Sequence, residues 1–350
     1  MICTGCSCLC DDVVVDEKVR HACRIGASLI LNRNVARAEP MVDGRKTDLD
    51  SAIESAIELL KDSNKVLIYG LNYSTLEAQR IAMKLAKKID AYLDNGLRYD
   101  LAEKLLDGEV RIATLEDVRD YAYVMMFWMF DAHNEMPRLM SRTYYARGKK
   151  RQRGYEEDRF LVVVDVRRSH TAMLAKKNAI FIEYDDELIK EFETAIRGGL
   201  ARREVLKVVG ELKKSDFNVI FTREFLPFAN EFGYIVPTIP QTNAMGFYKV
   251  LREEGGKIGR LEELDIDTIL VVGDDPLNDL PLNAIPNFIV IDPKVSFTSK
   301  IARVVIPSAI SGLECGGTML RCDLVEMKLK PPFKSEIDDV EILKRILRGL

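Results

Sequence analysis

The chain has 350 residues, 47% of them hydrophobic and 30% charged, the profile of an ordinary folded protein and too long for a single core. Its formal net charge of −4 excludes a general electrostatic drive towards nucleic acid or an anionic membrane surface. No apolar run reaches the roughly 20 residues of a bilayer-spanning helix, and no targeting segment is read, so the expected location is the cytoplasm.

The first two dozen residues hold the chemistry. Cys3-Thr4-Gly5-Cys6-Ser7-Cys8-Leu9-Cys10 opens the chain, and Cys23 follows in His21-Ala22-Cys23-Arg24-Ile25-Gly26. Cys3, Cys6, Cys10 and Cys23 give the spacing Cys-x2-Cys-x3-Cys-x12-Cys. Four soft sulfur ligands suit a [4Fe–4S] cluster or a tetrahedral zinc. Zinc ribbons usually close with a second tight cysteine pair, which this spacing lacks, so iron–sulfur is favoured. A disulfide knot would need an oxidising compartment. The alternating stretch Asp12 to Arg20 reads as a hairpin that returns Cys23 to the others. Gly5 gives the backbone room to bend. Cys8 is left over, either as a small buried residue or as an alternative ligand to Cys6.

Residues 1–45 end in the turn-rich Glu39-Pro40-Met41-Val42-Asp43-Gly44. Helical spacing then covers Ala52 to Leu60, a buried strand is predicted at Val66 to Gly70, a helix at Thr75 to Lys88 and a short strand at Asp90 to Asp94. Tyr121 to Phe130 is apolar and β-favouring, and a loop with Asp131, His133 and Glu135 follows. Arg138 to Arg147 is basic and amphipathic, and with Lys149, Lys150 and Arg151 it offers either a phosphate-attracting or a solvated surface. Further strands are predicted at 160–165 and 179–182.

A second set begins near Arg202, with a helix at Glu204 to Lys213, strands at 219–221 and 235–238, a helix at Ala244 to Glu253, and strands at 268–273 and 288–292. Alternation of this kind predicts an α/β fold, with a small N-terminal iron–sulfur domain (1–45) and two Rossmann-like parallel-sheet domains (46–200 and 201–350). Ligands of such sheets bind beyond the carboxyl ends of strands. Asp165, Asp275 and Asp292 stand at three such ends; Asp-Pro is also simply a good turn. Arg24, beside Cys23, is either a fixed charge between cluster and cofactor or a surface arginine. Gly312 to Thr318 reads as a close backbone approach to a ligand or another chain. Cys315 and Cys322 are far in sequence from any histidine.

Ile2-Cys3-Thr4-Gly5-Cys6, Cys10-Asp11-Asp12 and Ala22-Cys23-Arg24-Ile25-Gly26 resemble the start of the B subunit of formylmethanofuran dehydrogenase. That family belongs to the tungsten/molybdenum bis-pterin oxidoreductases of the dimethyl-sulfoxide-reductase superfamily. The resemblance continues in Glu77-Ala78-Gln79-Arg80, Pro137-Arg138-Leu139-Met140-Ser141-Arg142, Val162-Val163-Val164-Asp165-Val166-Arg167, Gly273-Asp274-Asp275-Pro276, Val305 to Ile310, and Glu314 with Gly317-Thr318. It implies cluster ligation by Cys3, Cys6, Cys10 and Cys23, and pterin-dinucleotide contacts at Asp165, Arg167, Asp275 and Asp292.

The activity implied is reduction of CO2 to the formyl level, or its reverse, in the one-carbon metabolism of methanogenesis. The implied cofactors are the [4Fe–4S] cluster and a tungsto- or molybdo-bis(pyranopterin guanine dinucleotide). Implied partners are the other subunits of such a complex, including a separate pterin-binding β-barrel subunit and a ferredoxin-like electron donor. The sequence departs where the family ligates its metal through a Cys-His-Gly-Pro segment after an Asp-Asn. After Asp94-Asn95 it reads Gly96-Leu97-Arg98-Tyr99-Asp100-Leu101. Where the family has Arg-Gly-His, the sequence reads Ile239-Pro240-Gln241-Thr242-Asn243, without the arginine or the histidine. Losing such a unit costs many orders of magnitude in rate. Two other roles stay open: a catalytically silent scaffold in a formyltransferase/hydrolase-type complex, and a different pterin oxidoreductase with Asp100 as metal ligand. Asp100 also reads as a plain helix-start residue.

Overall fold

The computed structural model describes residues 1–97, 100–174, 177–279, 286–335 and 337–350. Its two main sheets grow from the apolar runs of the sequence. Val66–Gly70 and Thr268–Val272 are buried at every position, as strands covered on both faces must be. They pair in parallel at the centre of an eight-stranded sheet, in the order 257–258, 92–94, 66–70, 268–272, 287–291, 304–306, 41–42, 45–46. The last two strands are antiparallel. The second sheet has five parallel strands, in the order 234–237, 219–222, 124–128, 160–165, 179–183.

Helices start where short polar side chains satisfy open backbone N–H groups. Asp48 caps Leu49–Lys61 by accepting from Ser51, and Thr75 caps Leu76–Lys88 by accepting from Ala78. Asp338 does the same for Asp339–Gly349, a C-terminal helix outside the sequence-based expectation. The hairpin predicted between Cys10 and Cys23 forms, as Val14–Val15 against Val19–Arg20.

The sheets cut across the domain boundary expected at residue 200. Strands 66–70 and 92–94 share the large sheet with 257–306, whereas 219–222 and 234–237 join 124–183 in the small one. The chain leaves the large sheet after Asp94, builds the small sheet, and returns at Lys257. Closing so long an excursion costs little more than closing a short one, because the entropy grows only with the logarithm of length. Two smaller expectations also change. The loop at 131–135 contains the short helix Ala132–Glu135, and the basic stretch is helical only over Leu139–Arg142.

In both sheets the chain reverses its direction of travel between two neighbouring strands. Those points lie between 66–70 and 268–272 in the large sheet, and between 124–128 and 219–222 in the small one. Crevices at the carboxyl ends of such pairs are where ligands of open α/β sheets collect.

Candidate functional site

The cysteine stretch is a tight loop whose backbone is fastened to three distant parts of the chain. Cys3 N donates to Cys10 O at 2.8 Å and Leu9 N to Cys6 O at 3.2 Å, closing the loop on itself. Thr4 Oγ1 donates to Ser311 O at 2.8 Å, and a Cβ on the neighbouring Gly312 would collide with Thr4 Cγ2. Thr242 Oγ1 donates to Thr4 O at 2.8 Å, Ser7 Oγ donates to Ile239 O, and Cys322 N donates to Ser7 O at 2.8 Å. The close approach read at Gly312 is therefore to this chain's own loop.

These bonds hold the sulfurs in one buried neighbourhood. Cys3, Cys6, Cys8 and Cys10 are buried, and Cys3 lies within electrostatic reach of Cys10, Cys6 and Cys23. Cys23 is the residue before the helix Arg24–Leu31. Gly26 in that helix leaves room for Cys3: a Cβ there would lie 2.7 Å from Cys3 Sγ. Gly5 likewise lets the loop press on the helix, a Cβ there meeting Gly26 Cα at 3.3 Å. Burial pushes the Cys3 thiol up to about 12. Cys10 is lowered to about 6, by a hydrogen bond from Cys8 and by the guanidinium of Arg142. Cys8 is fully buried, with Cys6, Cys10 and Cys322 close enough to act on its thiol, which is pushed up. Among the described residues, no group of three or more His, Cys, Asp or Glu side chains forms a ready site for a single metal ion.

Two arginines clamp the loop from the small-sheet side. Arg138 donates to Asp12 (2.6 Å) and to His21 O (2.7 Å); Arg142 stands 3.3 Å from Asp11, and its charge favours the Cys10 thiolate. The signal that could have found this pair is the match between Cys10-Asp11-Asp12 and Arg138-x3-Arg142. In the rest of the basic run Lys149 pairs with Asp120, Arg151 donates to Tyr121 O and Ser215 Oγ, and Arg147 and Lys150 are exposed.

The strand-end candidates fall into two clefts. Asp165, Arg167, Arg168, Asp131 and His170 line a cavity of about 660 Å3 at the small sheet. Arg24 reaches its edge, donating to Asn134 O at 2.8 Å and Oδ1 at 2.9 Å, and Asn134 in turn donates to Asp131 at 2.6 Å. His133 and His170 face one another there with ring centroids 5.6 Å apart. The large-sheet cleft is about 190 Å3 and runs from Thr4 to Tyr73, Gly273, Asp292 and Asp339. Burial and the neighbouring Asp274 and Asp275 push Asp292 up to about 7, and burial pushes Asp339 up to about 6. Asp275 instead accepts from Phe297 N, Thr298 N and Thr298 Oγ1, tying the strand end to a segment 22–23 residues further along the chain.

At the end of strand 92–94, one in from the edge of the large sheet, Asp94 and Asn95 are both 3% exposed and bonded internally. Asp94 accepts from Gly96 N and Leu261 N, each at 2.9 Å. Asn72 donates to Asn95 O at 2.7 Å and Asp274 at 2.9 Å, and accepts from Asn95 Nδ2. Arg98 and Tyr99 lie outside the described residues. Asp100 is exposed at the start of the helix Asp100–Leu106, at the mouth of a small pocket shared with Asp94, Glu103 and Arg260. Glu77 and Thr318, taken from two separate motifs, meet: Thr318 N and Oγ1 both donate to Glu77 at 2.9 Å. Cys315 is buried beside Ser311, its thiol pushed up to about 12 by burial.

No family profile matches the chain. It is 28% identical to the B subunit of tungsten-containing formylmethanofuran dehydrogenase 2 of Methanocaldococcus jannaschii, over 424 aligned positions covering 99% of this chain and 97% of that protein. The same protein of Methanococcus maripaludis is 27% identical over 423 positions, with the same coverage. Both alignments are longer than this chain, so the relatives carry stretches that it lacks. Among solved structures, a chain of the formyltransferase/hydrolase complex of Methylorubrum extorquens, crystallised with methylofuran, superposes with a TM-score of 0.67 at 16% identity. The match spans 88% of this chain and 98% of that one, and shows the same α/β fold. Over almost its whole length, this chain is similar to the B subunit of tungsten-containing formylmethanofuran dehydrogenase.

Proposed function

We propose that the chain is a B-subunit-like component of a formylmethanofuran dehydrogenase-type complex, handling electrons through a [4Fe–4S] cluster on Cys3, Cys6, Cys10 and Cys23. The observation that carries this reading is the fastened loop, which gathers those thiols beside Arg138 and Arg142 and leaves a glycine where Cys3 needs space. In a cube each thiolate binds a different iron, so its ligands stand farther apart than four sulfurs on one zinc at about 2.3 Å. Among the described residues no group is ready for a single metal ion, and the preference for a cube over zinc rests on the cysteine spacing, which lacks a second close pair. The cluster, when bound, supplies one-electron transfer; the chain's own residues bury it, charge-balance it and fix its approach to the clefts.

The metal-pterin half of the expectation fits less well. The small-sheet cleft, with Arg167 and Arg168 exposed at its wall, suits a phosphate-bearing ligand. The large-sheet cleft does not suit a diphosphate: it presents Asp292 and Asp339, and Lys294 donates its ammonium protons to the carbonyls of Asn32, Arg33 and Val35. The internal bonding of Asp94 and Asn95 supports a second reading, in which the chain is silent at the metal and serves as a scaffold. An electron-donating ferredoxin-like partner and a β-barrel partner belong to the first reading, as does a cytoplasmic location. Among the described residues no helix is long and apolar enough to cross a membrane.

Elemental analysis of the anaerobically purified protein, with pterin extraction, tests the assignment. About four irons per chain with a broad visible absorption are expected. Stoichiometric zinc, or colourless iron-free protein, would overturn the redox reading and leave the scaffold. Tungsten or molybdenum with extractable pterin would overturn silence at the metal.

A further inference from the structure

We infer that the strand Glu326–Leu329 is a docking edge for an extended segment of another subunit, one in which acidic side chains alternate with apolar ones. The inference rests on the reading above only in that the chain works within a multi-subunit assembly; it needs neither cluster nor metal-pterin. Glu326–Leu329 pairs antiparallel with Gly317–Leu320 in a two-stranded sheet. In such a pair, successive residues turn their N–H and C=O groups alternately towards the partner strand and away from it. Arg321 N donates to Val325 O at 2.9 Å, which sets the alternation. Gly317 and Met319 therefore bond to Leu329 and Met327, while Thr318, Leu320, Glu326 and Lys328 point outward.

The two outer edges end differently. On the first strand, Thr318 N donates to Glu77 and Leu320 N to Asn243 Oδ1, at 2.9 and 2.8 Å, so side chains close that edge. On the second, the backbone N–H and C=O groups of Glu326 and Lys328 find no partner among the described residues. An open strand edge is a template for one more strand.

Beside this edge runs a groove of about 520 Å3, walled by Ile2, Val15 and Pro332 together with Lys328 and Lys330. Met327 and Leu329 face the other way, into a small apolar cluster with Leu9, Met319 and Ile2 in which Met327 and Ile2 stay half-buried. A third strand lays alternate apolar side chains on those two residues and completes the cluster. Its remaining side chains emerge on the face of Lys328 and Lys330, which are exposed and have no carboxylate partner among the described residues. The nearby acids are engaged elsewhere, Asp11 facing Arg142 at 3.3 Å and Glu326 facing Lys249 at 2.5 Å. Free lysines on an edge favour a strand carrying carboxylates and disfavour pairing with a second copy of the same edge. Pro331 and Pro332 stop the strand, so the docked segment is about five residues long.

The test is hydrogen–deuterium exchange of the full chain, with and without about 1 mM of a blocked hexapeptide of alternating valine and glutamate. Exchange over residues 325–330 is expected to slow about threefold or more. Lys328→Pro removes one outward N–H and leaves the inward ladder whole, and is expected to abolish the slowing. Lys328→Glu combined with Lys330→Glu is expected to weaken binding about tenfold. No slowing in the wild type overturns the inference. So does equal slowing by a valine–lysine hexapeptide or by a backbone N-methylated valine–glutamate one, and so does unweakened binding to the doubly charge-reversed protein. Iron analysis of the same preparation separates this from the redox reading. Iron-loaded protein without slowing sinks the docking edge alone, and iron-free protein with slowing sinks the redox reading and leaves the edge.

Discussion

The cysteine loop and the Asp94-Asn95 strand end use the same kind of bond to opposite effect. In the loop, the fastening is done mainly by backbone groups and by Thr4, Ser7 and Thr242 hydroxyls, so the thiols are positioned without being consumed. At the strand end the side chains themselves do the fastening: Asp94 holds two backbone N–H groups, and Asn95 is locked to Asn72. A polar side chain that already satisfies its neighbours has little left for a ligand. The difference teaches that a site is better judged by which atoms are still free after folding than by which residues are present.

The largest expected effect breaks the comparison at its strong side. Replacing Cys23 with Ala removes the proposed cluster ligand at the helix start, and loss of most bound iron with the visible absorption is the outcome that reading expects. Iron analysis and the absorption spectrum check this, with far-UV circular dichroism to show that the sheets remain. Full iron in the variant would mean that Cys8 or Cys322 takes the fourth position. Next comes Gly26→Ala. The added methyl must displace Cys3 Sγ, which it would otherwise approach to 2.7 Å, and overpacking of this kind costs about 1–3 kcal/mol. Iron retention in this variant should fall although no ligand has been touched; unaltered iron and an unaltered urea midpoint would show that the loop is slack.

On the other side of the comparison, Asn72→Ala removes the donor shared by Asn95 O and Asp274 and leaves Asn95 Nδ2 facing a gap. A buried pair broken at one partner costs about 1–3 kcal/mol. A lower urea midpoint with unchanged iron is expected, separating this network from the loop. Equal loss of iron would couple the two regions and weaken the contrast.

Much of this contrast is legible in the sequence, and the reasons for the rest are physical. Cysteine spacing and the continuous apolar runs at 66–70, 160–165 and 268–272 identify the loop and the strands, because thiol chemistry and strand burial are local properties. Which sheet a strand joins is not local, and so 219–222, expected in one domain with 268–272, pairs instead with 124–128. The arginine clamp is written as Arg138 and Arg142 in a basic run, but its acidic partners lie about 130 residues earlier. Asp275 reads either as a ligand-binding strand end or as a local turn, yet its carboxylate accepts from Phe297 and Thr298 more than twenty residues on, a pairing that no local pattern shows.

The large-sheet cleft gives a smaller, pH-dependent effect. Asp292 has its carboxyl raised from 3.8 to about 7 in the folded chain, so the fold holds its proton after the unfolded chain has released it. Below about pH 4 both states are protonated and nothing is lost. As pH rises from there to about 7, stability falls, and above that the penalty stays constant. Asp292→Asn should flatten this part of the stability profile and raise the urea midpoint at pH 8 relative to wild type. Asp339, raised to about 6 by burial, acts in the same direction, so some slope should survive in the single variant. Identical slopes in variant and wild type would show that Asp292 is charged at neutral pH and open to a cation.

Asp100→Ala should do least, and for that reason it is the sharpest probe of the strand end. Asp100 is exposed at the first position of its helix, where a carboxylate gains a few tenths of a kcal/mol from the helix dipole and little more. If Asp94-Asn95 is as closed as its hydrogen bonds make it, removing this neighbour changes the urea midpoint by less than about 0.5 kcal/mol in equivalent stability and leaves metal content untouched. Loss of tungsten or molybdenum from a wild type that holds it would instead make Asp100 the ligand standing in for the missing cysteine. Asp94 and Asn95 are engaged in the fold, and beyond them Asp100 and Glu103 are the acidic side chains that line that pocket.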